Sequence, residues 1–342
     1  MEHKIKLSVI IAYYNAEEYI AELLDSLLDQ GFSDDEYEII VVDDESTHDV
    51  SVLKQYSETH DNVHYVWQKN ARQSAARNRG ISMAKGEYIY VCDNDDKVNR
   101  QVLGKIYDIA HQNALEILFF NRIKIGENDS LPIAKIDFVL KHDVVSGQQY
   151  IANHPYISTG PWHYIIKRIF IDQNNYKFPD GIIICEDVNF LIDVCIKAER
   201  VSYLDVDVYY WVQRSKSISH YEGKKKNTEK FLADMYWYID QKKCLINNGK
   251  DLSPTFIRWI DTSINYHVFR LLHTAFRYLP FSLNKRYMRD LQSIGVYPIK
   301  NGDFSDMKTV SLVRKIMNNK TLWLTLCFIF QSLPEKIKCK LC

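Results

Sequence analysis

The sequence predicts an α/β protein in which an open, mostly parallel sheet is covered by helices on both faces and followed by a region of helices alone. Three observations carry this. Over the first 120 residues, short apolar runs alternate with stretches of helical hydrophobic periodicity. The apolar runs are continuous rather than alternating, as in strands buried on both faces. After about residue 221 the strand-type runs cease and only helical patterns remain. A boundary near 220 therefore divides the 342-residue chain into 1–220 and 221–342.

Leu7 to Ala12 is the first buried strand. Ile20, Leu23, Leu24, Leu27 and Leu28 then recur at the spacing of one helix face. Asn15 is placed to cap that helix, with Glu18 three residues on and Gly31 to end it. Tyr37 to Val42 is the second strand, and a polar loop, Asp43 to Asp49, leads to a helix near 50–59. Val63 to Val66 is the third strand, and 71–84 is helical and ends before Gly86. Tyr88 to Cys92 is the fourth strand, stopping at Asp93-Asn94-Asp95-Asp96. A helix near 99–113 and a strand at 116–120 follow. Residues 122–160 show no regular pattern, and mixed signals resume from Trp162 to Trp211. Beyond 221 the clearest element is a helix from Phe256 to Leu279, with Ser253 as N-cap and Pro254 in its first turn.

Composition narrows the function. Hydrophobic residues make up 46% and charged residues 25%, which excludes disorder, collagen and low-complexity repeats as descriptions of the whole chain. The net charge of −1 and the lack of an RNA-binding motif argue against nucleic acid as partner. The 7 cysteines form no zinc-type pair set; Cys339 and Cys342 make one C-x-x-C with no second pair. A reduced, cytoplasmic compartment fits this usage. The N-terminus enters the first strand with no signal-type apolar stretch, and Leu322 to Phe330 is too short to span a bilayer.

Ligands of open α/β sheets bind beyond the carboxyl ends of the strands. Those ends lack the G-x-G-x-x-G of dinucleotide sites, the P-loop, the G-x-S-x-G elbow and H-E-x-x-H. They offer acid instead: Asp43-Asp44 after the second strand and Asp93-Asn94-Asp95-Asp96 after the fourth. An isolated D-x-D is commonly a solvated turn. Two acidic ends on one sheet edge suit a hard divalent cation, Mn²⁺ or Mg²⁺, shared with substrate phosphates. Asp43 or Asp44 could instead accept a hydrogen bond from a base or a ribose.

At this point the residues resemble a family. Leu7-Ser8-Val9-Ile10-Ile11-Ala12-Tyr13-Tyr14-Asn15, then Ile39-Ile40-Val41-Val42-Asp43-Asp44-Glu45-Ser46-Thr47, looks like the opening of the family 2 glycosyltransferases. Ala75-Ala76-Arg77-Asn78-Arg79-Gly80-Ile81 with Ala84-Lys85-Gly86-Glu87-Tyr88-Ile89 is similar to its third block, and Asp93-Asn94-Asp95-Asp96 to its D-x-D motif. Pro161-Trp162, Glu186-Asp187-Val188-Asn189-Phe190 and Tyr209-Tyr210-Trp211 resemble its acceptor-side segments. The likeness covers about residues 5–220. Two positions depart from it. The third block commonly begins Asn-x-Gly and here reads Asn70-Ala71-Arg72, and Glu45 stands where the second commonly has glycine. Stiffer or differently shaped loops are expected at both.

The resemblance implies a GT-A fold, a nucleotide-diphosphate-sugar donor (UDP-sugar first), Mn²⁺ or Mg²⁺, and an inverting reaction of the kind used in bacterial surface-polysaccharide synthesis. By position, Ala12, Tyr14 and Asp44 would line the base and ribose, and Arg77 would reach the nucleotide or its phosphates. Asp93, Asn94 and Asp95 would face the donor, with Asp93 and Asp95 holding the metal. Asp187 would be the catalytic base, with Glu186 as alternative. Trp162 and Arg214 are candidates on the acceptor, a glycan or lipid-linked saccharide. Trp162 is equally a core tryptophan, and Arg214, Ser217 and His220 form either a lid over the pyrophosphate or an exposed linker. Glu186-Asp187 also reads as a helix N-terminus favoured by the macrodipole. A catalytically silent sugar-nucleotide-binding or assembly subunit is the rival from another class. A nucleotidyltransferase would carry a Gly-rich basic loop after the first strand, and Ala12-Tyr13-Tyr14-Asn15 is not one.

The neutral total hides a split. Residues 221–342 hold 21 Lys and Arg against 10 Asp and Glu, whereas the first 220 hold 22 against 34. The basic part, with Leu322 to Phe330 and then Lys336, Lys338 and Lys340, suits peripheral contact with an anionic membrane on its cytoplasmic face. Packing on the acidic part, or a homodimer, accounts for it equally.

Overall fold

The computed structural model describes residues 5–154, 157–214, 227–249, 251–300 and 308–332. The chain divides into two compact units, Met1–Ser215 and Lys216–Cys342.

The first unit is built on an eight-stranded mixed sheet. Its strands are β1 (Leu7–Tyr13), β2 (Tyr37–Asp43), β3 (Val63–Trp67), β4 (Tyr88–Asp93), β5 (Lys97–Val98), β6 (Ile117–Gly126), β7 (Tyr164–Lys167) and β8 (Val201–Gln213), in the order β3-β2-β1-β4-β7-β6-β8-β5. β1, β2, β3 and β4 run parallel, as do β6 and β8, while β7 is antiparallel to both its neighbours and β5 is antiparallel to β8. The continuous apolar runs are the reason β1 and β2 lie almost wholly out of solvent. β1 connects outward to β2 on one side, and β4 joins it on the other. This reversal opens a crevice at the carboxyl ends, where open α/β sheets bind ligands. Register puts Tyr13 beside Asp43 and Ala12 beside Asp93, so the two acidic ends share one edge.

Seven helices accompany the sheet: α1 (Ile20–Leu27), α2 (Ser51–Thr59), α3 (Arg72–Met83), α4 (Leu103–Gln112), α5 (Gly147–Asn153), α6 (Arg168–Asn174) and α7 (Glu186–Lys197). Helix α3 comes unusually close to the sheet because Ser74, Ala76 and Gly80 face it. A Cβ on Gly80 would lie 2.4 Å from Cγ2 of Ile10. Two local expectations change. Asn15 does not cap α1, which begins after Tyr19 with no side-chain cap. It adopts φ 49° and braces the neighbouring loop, its Oδ1 accepting from the amides of Thr47 (2.8 Å) and His48 (3.1 Å). The stretch 122–160 is not wholly irregular: β6 runs on to Gly126, and α5 is capped by Ser146, whose hydroxyl accepts from the Gln149 amide.

The second unit contains the helices Thr228–Asn248, Pro254–Tyr278, Phe281–Ser293, Lys308–Asn318 and Lys320–Ser332. The Ser253 hydroxyl accepts from the Phe256 amide, and Pro254 opens the first turn as expected. Ile260, Ile264, Val268, Leu271, Leu272 and Ala275 form the buried face of that helix. On Lys320–Ser332, Trp323, Cys327 and Phe330 turn inward, and the rings of Trp323 and Phe330 lie 5.0 and 4.7 Å from Phe276. Leu322, Phe328 and Ile329 remain exposed. Among the described residues no helix is long and apolar enough to cross a membrane. Among the described residues, Cys92, Cys195, Cys244 and Cys327 form no disulfide.

Candidate active site

The crevice beyond β1 and β4 is organised by one guanidinium. Arg77 extends from α3 and is 1% exposed. Its Nη2 donates to Oδ1 of Asp93 at 2.8 Å, and its Nη1 donates to Oδ1 of Asp187 at 2.7 Å and Oε1 of Glu186 at 3.3 Å. Its Cζ lies 5.1 Å from the ring of Phe178, which stacks on Phe190 at 4.2 Å. The end of β4 and the start of α7 thus meet on one side chain. Arg77, expected to reach the nucleotide or its phosphates, is buried and shared among three carboxylates.

Helix α7 starts sharply after Cys185, whose φ of 70° turns the chain and places Glu186 and Asp187 in the first turn. There the macrodipole favours negative charge, so the helix-terminus reading of this pair is correct. Burial first, then the Asp187 charge, hold the Glu186 carboxyl well above the usual carboxylate range. Burial also raises Asp187, against the pull of Arg77. Glu186 is buried, while the Asp187 side chain keeps 28% of its surface open.

The four residues after β4 divide the work. The Asp93 side chain is 27% exposed beside Arg77, and that of Asp95 is 40% exposed. Asn94 is half-buried. Burial, then the charge of Asp93, raises the Asp95 carboxyl. Asp96 points inward: its Oδ2 accepts from the Tyr209 hydroxyl at 2.6 Å and its Oδ1 from the Val212 amide at 2.7 Å. Burial, then Asp95 and Asp93, push it up to about 8. Asp96 is a residue that sequence reasoning missed; its signal was a fourth polar position directly before the apolar Val98 and Val102.

The pair after β2 behaves differently. Asp43 accepts from the Ser46 amide (2.9 Å) and the Tyr65 hydroxyl (2.7 Å). Asp44, expected at the nucleotide, spends its carboxylate within the protein, accepting from the amides of Ala71 (2.9 Å) and Arg72 (2.7 Å) and from Nε2 of Gln68 (2.7 Å). Ala12 is half-buried at the end of β1, and Tyr14 is 49% exposed. The two departures from glycine, Glu45 and Arg72, both take left-handed backbone, at φ 64° and 74°. The loops keep the conformation glycine prefers, at a cost of about 1 kcal/mol for each such residue. Oε2 of Glu45 accepts from the Asn70 amide at 3.1 Å and ties the two loops together.

Trp162 and Arg214, the acceptor candidates, are both buried. Trp162 is buried and stacks on Tyr209 at 4.8 Å with the rings 3° from parallel, so it is a core tryptophan. Arg214 is also buried, its Cζ 4.0 Å from the Tyr19 ring and its Nη1 3.7 Å from Asp95 and 3.9 Å from Asp96. It stands on the D-x-D side, and among the described residues its Nε and Nη1 have no hydrogen-bond partner. Ser217, His220, Lys336, Lys338 and Lys340 lie outside the described residues.

Among the described residues no three His, Cys, Asp or Glu side chains form a ready metal centre. Asp93 and Asp95 are two partly open carboxylates, and burial first, then the charge of Asp93, raises Asp95. That donor set suits Mg²⁺ or Mn²⁺, which commonly take one or two carboxylates and complete their shell with phosphates and water.

A family model described as Glycosyl transferase family 2 matches residues 8–179. The chain is 30% identical over 214 residues to the poly(ribitol-phosphate) beta-glucosyltransferase of Bacillus spizizenii, covering 61% of this chain and 33% of that one. It is 31% identical over 218 residues to the uncharacterized glycosyltransferase EpsJ of Bacillus subtilis, covering 62% of each. It therefore spans a third of the first relative and less than two thirds of the second. The crystal structure of Staphylococcus aureus TarS 1-349 in complex with UDP-GlcNAc superimposes with a TM-score of 0.67 at 21% identity, over 96% of this chain and 92% of that one. The mixed sheet with its flanking helices is accordingly the GT-A fold.

Proposed function

The chain belongs to glycosyl transferase family 2, and from that premise we propose that residues 1–220 transfer a sugar from a nucleotide-diphosphate-sugar donor to a glycan or lipid-linked saccharide by a single inverting displacement. The observation that carries this reading is the shared guanidinium. Arg77 holds Asp93 of the donor-side D-x-D and Asp187 of α7 on its two Nη atoms, so a donor on one and an acceptor on the other would meet.

Displacement at an anomeric carbon requires a base for the acceptor hydroxyl. Asp187 takes that proton in this reading. Burial raises its carboxyl, which strengthens it as a base, while Arg77 keeps it oriented. Glu186, more deeply buried and raised by that burial and by the neighbouring Asp187 charge, stands beside Asp187 on the same Arg77 nitrogen. With no protein nucleophile the reaction is one displacement, hence inversion. Asp93 and Asp95 would hold Mn²⁺ or Mg²⁺, which supplies charge neutralisation for the departing diphosphate. Ala12 and Tyr14 edge the nucleotide pocket, with Asp44 shaping its wall, Asn94 beside the donor sugar, and the unpartnered Arg214 nitrogens facing the diphosphate.

UDP-sugars are the first donors to try, and cell-surface polysaccharide synthesis is the setting that relatives such as the poly(ribitol-phosphate) beta-glucosyltransferase suggest. For residues 221–342, the excess of basic residues and the exposed Leu322, Phe328 and Ile329 support peripheral contact with an anionic membrane, which co-sedimentation with anionic vesicles tests; concentration-dependent dimerisation without sedimentation would favour a second subunit instead. The main test is a panel of nucleotide sugars, with and without Mn²⁺, read by release of nucleoside diphosphate. Turnover of one donor class in the presence of metal is expected. Donor binding with no turnover under any condition would make this a silent binding subunit.

A further inference from the structure

The face of the sheet beside the D-x-D loop carries two cations that the proposed chemistry does not use. Arg122 and Lys124 project from β6 opposite Tyr209 and Trp211 of β8. The Arg122 guanidinium lies 4.6 Å from the Trp211 ring and 5.2 Å from the Trp162 ring, and Nζ of Lys124 lies 5.5 Å from Trp211. Among the described residues neither cation makes an ion pair. The acid acting on Arg122 is Asp96, whose two oxygens already accept from Tyr209 and Val212. A half-buried guanidinium without a carboxylate of its own is costly to maintain. Burial accordingly presses the Arg122 guanidinium below its ordinary value.

We propose that Arg122, Lys124 and Trp211 form an acceptor subsite for a negatively charged saccharide, one carrying phosphate or carboxylate groups. The inference rests on the glycosyltransferase reading above and adds the chemical class of the acceptor. Position supports it. The Tyr209 hydroxyl lies 3.4 Å from the Asp93 amide, Trp162 stacks on Tyr209, and Trp211 lies 6.4 Å from Trp162. A short aromatic ladder therefore leads from the D-x-D loop to the cation pair. Trp211 is only half-buried, so it offers the ring face that buried Trp162 cannot. A sugar or polyol stacks its C–H groups on an indole, while the guanidinium binds phosphate or carboxylate oxygens through paired N–H donors and the lysine adds a mobile charge. Simple cation–π packing explains the Arg122–Trp211 contact. It does not explain two cations on one indole with no acid between them.

The test measures transfer from the donor found above onto matched acceptor pairs, each a neutral oligosaccharide and its phosphorylated or uronate-bearing counterpart. Wild-type protein should prefer the charged member, with an acceptor KM that rises with ionic strength. Lys124→Gln, which changes an exposed side chain, and Arg122→Gln should each lower the ratio of kcat/KM on charged over neutral acceptors about tenfold, the loss expected for one charge-assisted contact. Arg122→Lys should recover part of that ratio. A wild-type preference for neutral acceptors, or variants that retain the wild-type ratio, would overturn the subsite. Release of nucleoside diphosphate is read in parallel: its absence with every donor and acceptor, charged or neutral, counts against the glycosyltransferase reading, whereas release that is equal for charged and neutral acceptors counts against the subsite.

Discussion

Asp43 and Asp44 at the end of β2, and Asp93, Asp95 and Asp96 at the end of β4, stand on one edge of one sheet and look alike in sequence. At β2 the carboxylates accept from three backbone amides, a tyrosine hydroxyl and a glutamine, and both residues are buried. At β4 only Asp96 is satisfied in that way. Asp93 shares a cation with α7, and Asp95 is open with no closer partner than Arg214 at 3.7 Å. The difference lies in the donors that neighbouring loops supply. The left-handed turn at Arg72 presents backbone N–H groups to Asp44, and the one at Glu45 brings the Ser46 amide to Asp43, whereas among the described residues no neighbouring loop supplies such a donor to Asp95. A satisfied carboxylate builds a loop; an unsatisfied one is left for a ligand.

Substitutions should separate the two ends. Asp187→Asn is expected to lower transfer about 100- to 10,000-fold, the usual contribution of a general base, with a smaller loss of stability than Arg77→Met because Asp93 and Glu186 still pair with the guanidinium; near-wild-type initial rates would remove Asp187 from the mechanism. Arg77→Met should cost about 3–5 kcal/mol in urea unfolding, because three acids would lose their buried cation. Asp44→Ala should cost about 2–3 kcal/mol by stranding the amides of Ala71 and Arg72. Asp95→Ala should leave stability unchanged or raise it while abolishing metal-dependent turnover. Equal destabilisation by both alanines would erase the distinction between the two strand ends.

The pH dependence of stability has a definite sign at β4. The Asp96 carboxyl is pushed up to about 8 by burial, so between about pH 4 and pH 8 the folded state binds the proton that the unfolded chain has released. The contribution of Asp96 is fully present below about pH 4 and is lost as pH rises through 8. Asp96→Asn should flatten the melting temperature across that window. The smallest effect is expected for Arg72→Gly, which should stabilise by about 1 kcal/mol through relief of left-handed strain. Glu45→Gly should gain less, because it also removes the acceptor for the Asn70 amide.

Much of the sheet is legible in the sequence because doubly covered strands must be continuous apolar runs, and β2 and β4 end where acid begins. The strands on the other side are harder. β7 is four residues long, too short to carry a period, and the antiparallel pairing it introduces follows from tertiary packing. The extension of β6 was readable: Arg122, Ile123, Lys124 and Ile125 alternate with period two. In the candidate site, the acidic strand ends pointed to Asp93 and Asp95, and the family resemblance pointed to Asp187. What they engage was hidden, because Arg77 sits in a helical pattern with low amphipathicity and its partners come from distant parts of the chain. Trp162 shows the converse limit, since ring chemistry alone does not distinguish stacking on a ligand from stacking on Tyr209.

The Arg77 hub also dates the assembly of the site during folding. Its bond to Asp93 closes 16 residues of chain, and its bond to Asp187 closes 110. The short closure joins neighbouring elements of the chain, whereas the long one spans β6, β7 and α7 and carries the larger loop-closure entropy. A chain stalled between the two has a finished donor edge and no base.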